Sequence, residues 1–301
     1  MLAVIHHPEY DAKSVPSSHR FPMRKYSRLA RRLEDSGLIT AENPFIEPVA
    51  ADYLQVASAH HPDYVRNAFN LTLDKARIRE IGFELNEDVV YRSRLSCGGT
   101  LLAAHIAMDE GIACNGAGGS HHARYETGAG FCVFNDVAVA ITALRSQGVI
   151  RKAMIIDCDV HQGDGSADIF SGDDTVFTLS VHCEDNWPTR KVYGDMDVGL
   201  PVGMTDDAYL ARLKDAVQSA FDIFTPDIVF YNAGVDVHAD DRLGKLSLTE
   251  NGIARRDALV LGMVREHHCP VVGVMGGGYN RDNDRLIDLH ASLFEAASEL
   301  T

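Results

Sequence analysis

A chain of 301 residues with 46% hydrophobic and 24% charged side chains can bury a large core and is neither disordered nor fibrous. Its net charge of −15 argues against a general nucleic-acid binder, whose phosphate contacts need a basic surface. The opening residues turn polar too soon for a signal peptide, no apolar run reaches membrane-spanning length, and six unclustered cysteines suggest neither zinc knuckle nor disulfide frame. A cytoplasmic protein with reduced thiols is expected.

Residues 2–6 suggest a first or edge strand and 10–21 a loop. A helix is expected over 22–36, stopped by Gly37. Its Arg24, Lys25, Arg28, Arg31 and Arg32 suggest a solvated basic face. Short helices are expected at 53–57 and 63–70, while 72–92 is charged and hard to place. A long helix follows over 93–110, ended by Gly111, then the short apolar stretch 112–114 and a glycine-rich loop through His121-His122. Helical periodicity returns over 135–147.

Residues 153–157 form an apolar run fit for a buried parallel strand, and 175–183, 227–233 and 270–275 are expected to be further core strands. Between them lie helices over 206–224, with Thr205 as cap, and one opened by a capping box at Ser247 and Glu250 that ends near 268. A last amphipathic helix covers 284–299. The alternation implies one α/β domain over 1–301, on a mostly parallel sheet flanked by helices on both faces. Each polar loop follows a strand's carboxyl end, where such sheets bind ligands.

The central strand runs straight into Asp157-Cys158-Asp159-Val160-His161-Gln162-Gly163-Asp164-Gly165. In an extended chain Asp157, Asp159 and His161 point to one side. Two carboxylates and an imidazole at a buried strand end are costly unless they hold a cation or a partner. Asp236, which ends Asn232-Ala233-Gly234-Val235-Asp236, is the best-placed third ligand. Asp159, His161 and Asp236 would leave coordination positions open, as catalysis requires. Zinc is the default, and Fe(II), Co(II) or Mn(II) also suit mixed oxygen and nitrogen ligands. A metal-free ion-pair cluster is the bland alternative, disfavoured because one histidine cannot balance the acids.

The tandem His121-His122 in a glycine-rich loop is a poor core element and suggests a general base and acid. His6-His7, His60-His61 and His267-His268 lack such surroundings and are taken as surface or packing residues. Gly276-Gly277-Gly278-Tyr279 lets backbone approach the metal mouth, where a phenol can donate to an oxygen gaining charge.

Together, Gly118-Gly119-Ser120-His121-His122-Ala123, Gly130-Phe131-Cys132-Val133-Phe134-Asn135-Asp136, the run from Asp157 to Gly165, Asn232–Asp236 and Gly276–Tyr279 resemble the zinc-dependent histone deacetylase family, on the arginase/deacetylase fold. Asp241-Arg242-Leu243-Gly244-Lys245-Leu246-Ser247 and the compact length resemble its class IV members and their bacterial relatives most.

The resemblance implies hydrolysis of N-ε-acyl-lysine by a metal-activated water. Asp159, His161 and Asp236 would hold the metal, and Tyr279 would polarise the carbonyl. His122 would act as base and then acid, with His121 assisting. Asp157 and Asp164 would orient the two imidazoles. Gly130, Phe131, Trp187 and Leu243 would line the acyl-lysine tunnel. Potassium is implied beside the metal, at Asp157, Asp159, His161, Ser180 and Val181. His19-x-x-Pro22-x-Arg24 resembles a family pattern whose arginine lies near an inner channel. Gln162 replaces a histidine and Met275 a glycine found in many relatives.

Expected partners are acyl-lysine proteins or peptides, or a small acylated amine, with no direct nucleic-acid or membrane binding. Two rivals remain from the residues. Asp236-Val237-His238-Ala239-Asp240 has a spacing used by two-manganese ureohydrolases, which leaves a small cationic substrate such as an acetylpolyamine or a guanidine. A phosphotransferase with Asp157 as nucleophile would explain the strand but leave His121-His122 unused.

Overall fold

The computed structural model describes all 301 residues. Strand β1 (Ala3–Ile5) precedes helices α1 (Lys25–Asp35), α2 (Tyr53–Ala57), α3 (Pro62–Phe69), α4 (Lys75–Ile81) and α5 (Glu87–Glu110). Then follow β2 (Ile112–Asn115), α6 (Asp136–Ser146), β3 (Ala153–Asp157), α7 (Asp164–Ile169), β4 (Val176–Cys183) and β5 (Met196–Leu200). The chain closes with α8 (Asp206–Ile223), β6 (Ile228–Asn232), α9 (Glu250–Glu266), β7 (Val271–Val274) and α10 (Asn283–Ser298).

All seven strands form one parallel sheet in the order β1-β2-β7-β6-β3-β4-β5. Both α5 and α10 pack on β2 and β7, and the two helices belong to separate groups, α5 with α6 and α10 with α1 and α9. The sheet is therefore covered on both faces. That is why β3, β4, β6 and β7 are buried along their whole length and are largely apolar rather than alternating.

The order places one feature of consequence. The chain leaves β3 toward β4 on one side and leaves its neighbour β6 toward β7 on the other. The connections diverge there, which opens a crevice at the carboxyl ends of β3 and β6.

Local expectations needed correction. The stretch 72–92 holds α4 and the first turns of α5, which begins at Glu87 because Asn86 caps it by accepting from the Val89 amide. Thr205 stands at the N-cap of α8 as expected, but its side chain makes no capping bond. The cap of α9 is Thr249 rather than Ser247. Two elements were unanticipated, the short α7 and the edge strand β5, whose Asp197 and Gly199 are poor strand formers. The basic face of α1 is not simply solvated: Arg28 pairs with Asp284, Arg32 with Asp288 and Glu295, and Lys25 is buried. Arg24, expected near the inner channel, is exposed, and Lys25 points inward in its place.

The packing role expected of the other histidines shows best at His60, which is wholly buried. Its Nδ1 lies 2.8 Å from the Arg124 carbonyl and its Nε2 accepts from the Asn135 amide at 2.9 Å. A neutral ring satisfies both bonds. Burial accordingly lowers its pKa to about 4. The unfolded chain, with an ordinary value of about 6.5, binds a proton the folded state refuses. The His60 contribution is therefore complete above pH ~6.5 and is lost as pH falls toward ~4, a loss of about 3 kcal/mol. Urea denaturation across that interval should show stability falling with pH, and His60→Asn should flatten the slope.

Candidate metal and catalytic centre

β3 ends at Asp157, and the chain then leaves the extended path, so its three acidic and imidazole groups do not share one point. Asp157 turns to His121, while Asp159 and His161 turn to Asp236, which follows β6 across the crevice. His161 Nδ1 lies 3.0 Å from Asp159 Oδ1 and 3.1 Å from Asp236 Oδ2. One ligand atom from each of the three residues falls within 4.8 Å of the other two, and this is the sole such cluster of histidine, cysteine and acids in the chain.

Backbone amides hold these carboxylates in place. Asp159 accepts from the Gly277 and His161 amides at 2.7 and 3.0 Å, and Asp236 from the Val160 amide at 2.8 Å. The close approach of Gly277 depends on its lacking a side chain. A Cβ there would lie 2.3 Å from Asp236 Oδ2.

Both carboxylates are essentially buried, at 1% and 0% exposure. Burial and the charge of Asp159 push the Asp236 pKa up to about 7. The pair carries more negative charge than one imidazole offsets, and His161 itself, despite burial, is pushed up to about 10 by the two acids. A divalent cation relieves this frustration, and the oxygen and nitrogen donors fit one.

The tandem histidines lie beside this cluster with ring centroids 4.0 Å apart. His121 Nδ1 is 2.6 Å from Asp157 Oδ2, and His122 Nδ1 is 2.6 Å from Asp164 Oδ1. Burial lowers the proton affinity of both, but Asp157 and Asp159 outweigh it at His121 and push that pKa up to about 9. At His122 burial wins, helped by His121, and the value drops to about 4. Two adjacent imidazoles thus sit on opposite sides of neutrality.

The other Asp157 oxygen accepts from Asn232 Nδ2 at 3.0 Å and from the Asp159 amide at 3.1 Å. With both oxygens engaged and 2% exposure, Asp157 is not a free nucleophile, which removes the ground for phosphotransfer. Nor does Asp236-x-His238-x-Asp240 build a second centre. His238 Nδ1 accepts from the Asp240 amide at 3.1 Å, and the Asp240 carboxylate pairs with Arg285 at 2.8 Å.

Tyr279 follows β7 and its glycines. Its amide donates to Asp241 at 2.6 Å, its carbonyl accepts from Arg242 at 2.8 Å, and its hydroxyl has no partner within the protein. A cavity of about 30 Å³ is lined by Tyr279, His121, His122, Asp159, Gly130 and Phe131, among others. Trp187 stands edge-on to His122 at 4.5 Å and is 43% exposed. Leu243 lies off this cavity; its carbonyl accepts from Asn186, the neighbour of Trp187. Ser180 pairs in register with Asp157, and Val181 is buried next to it.

Sequence reasoning missed four cations. Arg124 grips Asp164 with Nε and Nη2 at 2.9 and 2.5 Å, and its position just after His121-His122 was a usable signal. Lys25 donates to the Gly276 carbonyl at 2.9 Å. Arg92 lines the cavity, and Arg256 binds the carbonyls of Cys158, Ala233 and Gly234. The last three come from helices remote in sequence, and nothing local marks them.

The histone deacetylase domain matches residues 19–293 of this chain. The chain belongs to the histone deacetylase family. It is 32% identical over 298 residues to histone deacetylase 2 of Arabidopsis thaliana, covering 95% of this chain and 76% of that one. It is 42% identical over 297 residues to an uncharacterised protein of Picosynechococcus, covering 99% and 98%. The fold is that of a histone deacetylase homologue from Aquifex aeolicus, with a TM-score of 0.83 and 24% identity over 99% of this chain and 84% of that one. The family is one of metal-dependent hydrolases acting on acylated substrates, and the α/β arginase/deacetylase fold expected from the motifs is the one observed. No helix is long and apolar enough to cross a membrane.

Proposed function

We propose that residues 1–301 form one catalytic domain that hydrolyses N-ε-acyl-lysine in proteins or peptides, in the manner of the class IV members. The observation that carries this reading is the imidazole pair, each ring held by its own carboxylate, facing the cavity beside the Asp159, His161 and Asp236 cluster. Those three residues would hold zinc, or Fe(II) in its place. When bound, such an ion supplies a Lewis acid and lowers the pKa of water.

His122 is neutral near pH 7 by virtue of its low proton affinity. It takes the proton of the attacking water and returns it to the departing lysine nitrogen. Asp164 keeps the Nδ1 hydrogen of His122 in place, which leaves Nε2 as the working atom. His121, kept protonated by Asp157, adds positive charge beside the reacting carbonyl. The unpartnered Tyr279 hydroxyl donates to the oxygen that gains charge. Gly130, Phe131, Trp187 and Leu243 would form the tunnel for the lysine stem. Potassium would bind at Asp157, Asp159, His161, Ser180 and Val181, close behind the catalytic metal, and the protein would act in the cytoplasm.

The test is hydrolysis of acyl-lysine peptides beside an acetylpolyamine. Turnover of the peptides should stop with a chelator and return with zinc. Preference for the acetylpolyamine would shift the reading to a small-molecule amidohydrolase. Absence of turnover on every substrate, with metal shown bound, would overturn it.

A further inference from the structure

The Asp164 carboxylate that holds His122 divides its oxygens between two partners. Oδ1 lies 2.6 Å from His122 Nδ1, and Oδ2 accepts from Arg124 Nε and Nη2 at 2.9 and 2.5 Å. The Asp164 side chain has 0% exposure, so Oδ2 depends on Arg124 alone.

The tandem imidazoles differ at this outer position. Asp157, which holds His121, meets only neutral donors on its far oxygen, the Asn232 amide group and the Asp159 N–H. Asp164 meets a guanidinium. His121 carries a proton that balances Asp157, whereas His122 is neutral, and the buried anion behind it draws its counter-charge from Arg124. Burial raises the proton affinity of Asp164, but His122 and Arg124 together outweigh it, and the carboxylate stays ionised.

Arg124 is itself held in a rigid frame. Its amide donates to the Thr127 carbonyl at 2.8 Å, and its carbonyl accepts from His60 Nδ1 at 2.8 Å. The Tyr125 amide donates at 3.0 Å to Asp168, one turn beyond Asp164 on α7. The His121 carbonyl accepts from the Gly165 and Ser166 amides at 2.8 and 3.2 Å. The turn after the histidines and the start of α7 are thus one unit, bonded through backbone. None of those bonds touches the Asp164 carboxylate, whose torsion about Cβ–Cγ is intrinsically broad. Only the Arg124 side chain, 36% exposed on the outer side, pins it. Arg124 does not line the catalytic cavity, so it acts through Asp164 and not on substrate.

We propose that Arg124 is a positioning residue for deacylation: its two N–H groups fix the plane of the Asp164 carboxylate, which keeps the His122 hydrogen on Nδ1 and aims Nε2 at the reacting water. This rests on the deacylase reading above and adds a residue to it. Without Arg124, Oδ2 is a buried charged oxygen with no partner, the carboxylate turns, and the ring loses its single orientation.

The experiment compares zinc-loaded wild type, Arg124→Ala and Arg124→Lys on an acyl-lysine peptide. Arg124→Ala should lose about 10–100-fold in kcat, the range for removing a partner that orients a working group. KM should stay within about twofold, since substrate binding is untouched, and metal content should not change. Arg124→Lys keeps the charge with a poorer fit and should be intermediate. Because the site opens outward, guanidinium chloride below denaturing concentration should restore part of kcat in Arg124→Ala, and potassium chloride at equal ionic strength should not. A folded Arg124→Ala with wild-type kcat overturns the assignment. So does a fall in kcat that neither lysine nor guanidinium relieves, which marks Arg124 as merely structural. NMR of isotope-labelled histidine adds a readout that needs no Arg124 variant and no substrate. Wild-type His122 should carry its hydrogen on Nδ1, and a hydrogen on Nε2 overturns the assignment even where neither variant folds. Absence of turnover by wild type with metal bound is a separate result: it removes the deacylase reading, and the role assigned to Arg124 falls with it.

Discussion

Replacing His122 by alanine should lower kcat on an acyl-lysine peptide by about 10²–10⁴-fold, the range for loss of a positioned general base. Bound metal should stay near that of wild type. The expectation follows from two separations in the site. His122 spends Nδ1 on Asp164 and belongs to no metal-ligand set, whereas His161 shares its Nδ1 with Asp159 and Asp236. Its burial keeps it unprotonated, so it is the ring able to accept a proton near pH 7, while His121 is already charged. KM should change little, because the loss falls on the transition state. Metal analysis beside steady-state kinetics checks this. Loss of metal in His122→Ala would mean the ring is a ligand, and the roles of the two histidine sets would have to be exchanged.

Arg256→Ala should cost about 3–5 kcal/mol of folding free energy, the range for breaking a fully buried ion pair from one side. The side chain has no exposed surface. Its Nε donates to Asp257 at 2.9 Å, and its Nη atoms reach the carbonyls of Cys158, Ala233 and Gly234. Those carbonyls belong to the two loops that carry Asp159, His161 and Asp236. One guanidinium therefore ties together the chain ends on both sides of the crevice. Removing it leaves Asp257 charged and buried, with only Tyr231 to bond it. The midpoint of urea unfolding should drop, and metal content should fall with it because the ligand loops lose their common anchor. Arg256→Lys keeps the charge but cannot span three carbonyls, so it should be intermediate in both measurements. A midpoint unchanged in Arg256→Ala would show that the loops are positioned by β3 and β6 alone.

The correspondence between reading and structure has a physical pattern. The core strands β3, β4, β6 and β7 were visible because burial on both faces demands apolar residues throughout. Helix ends were displaced where a cap was supplied by another residue, as at Asn86 and Thr249. The edge strand β5 escaped notice because pairing with β4, not its own composition, makes it extended. The cluster of Asp159, His161 and Asp236 was legible because buried acids and an imidazole after a core strand have few other uses. The cations around it were not, since α1, α5 and α9 deliver Lys25, Arg92 and Arg256 from far along the chain.

The amino-acid order by itself determined the α/β class, the four central strands, the acid, imidazole and phenol groups at their ends, and the family resemblance. These follow from composition and period, which act over a few residues. Only the tertiary structure decided that β3 and β6 are neighbours with diverging connections, which brings Asp236 to Asp159 and His161. It likewise decided that Lys25 rather than Arg24 turns inward, and that Arg92 faces the reaction cavity. Strand order and helix docking depend on how remote surfaces fit together, and no local stretch of sequence carries that information.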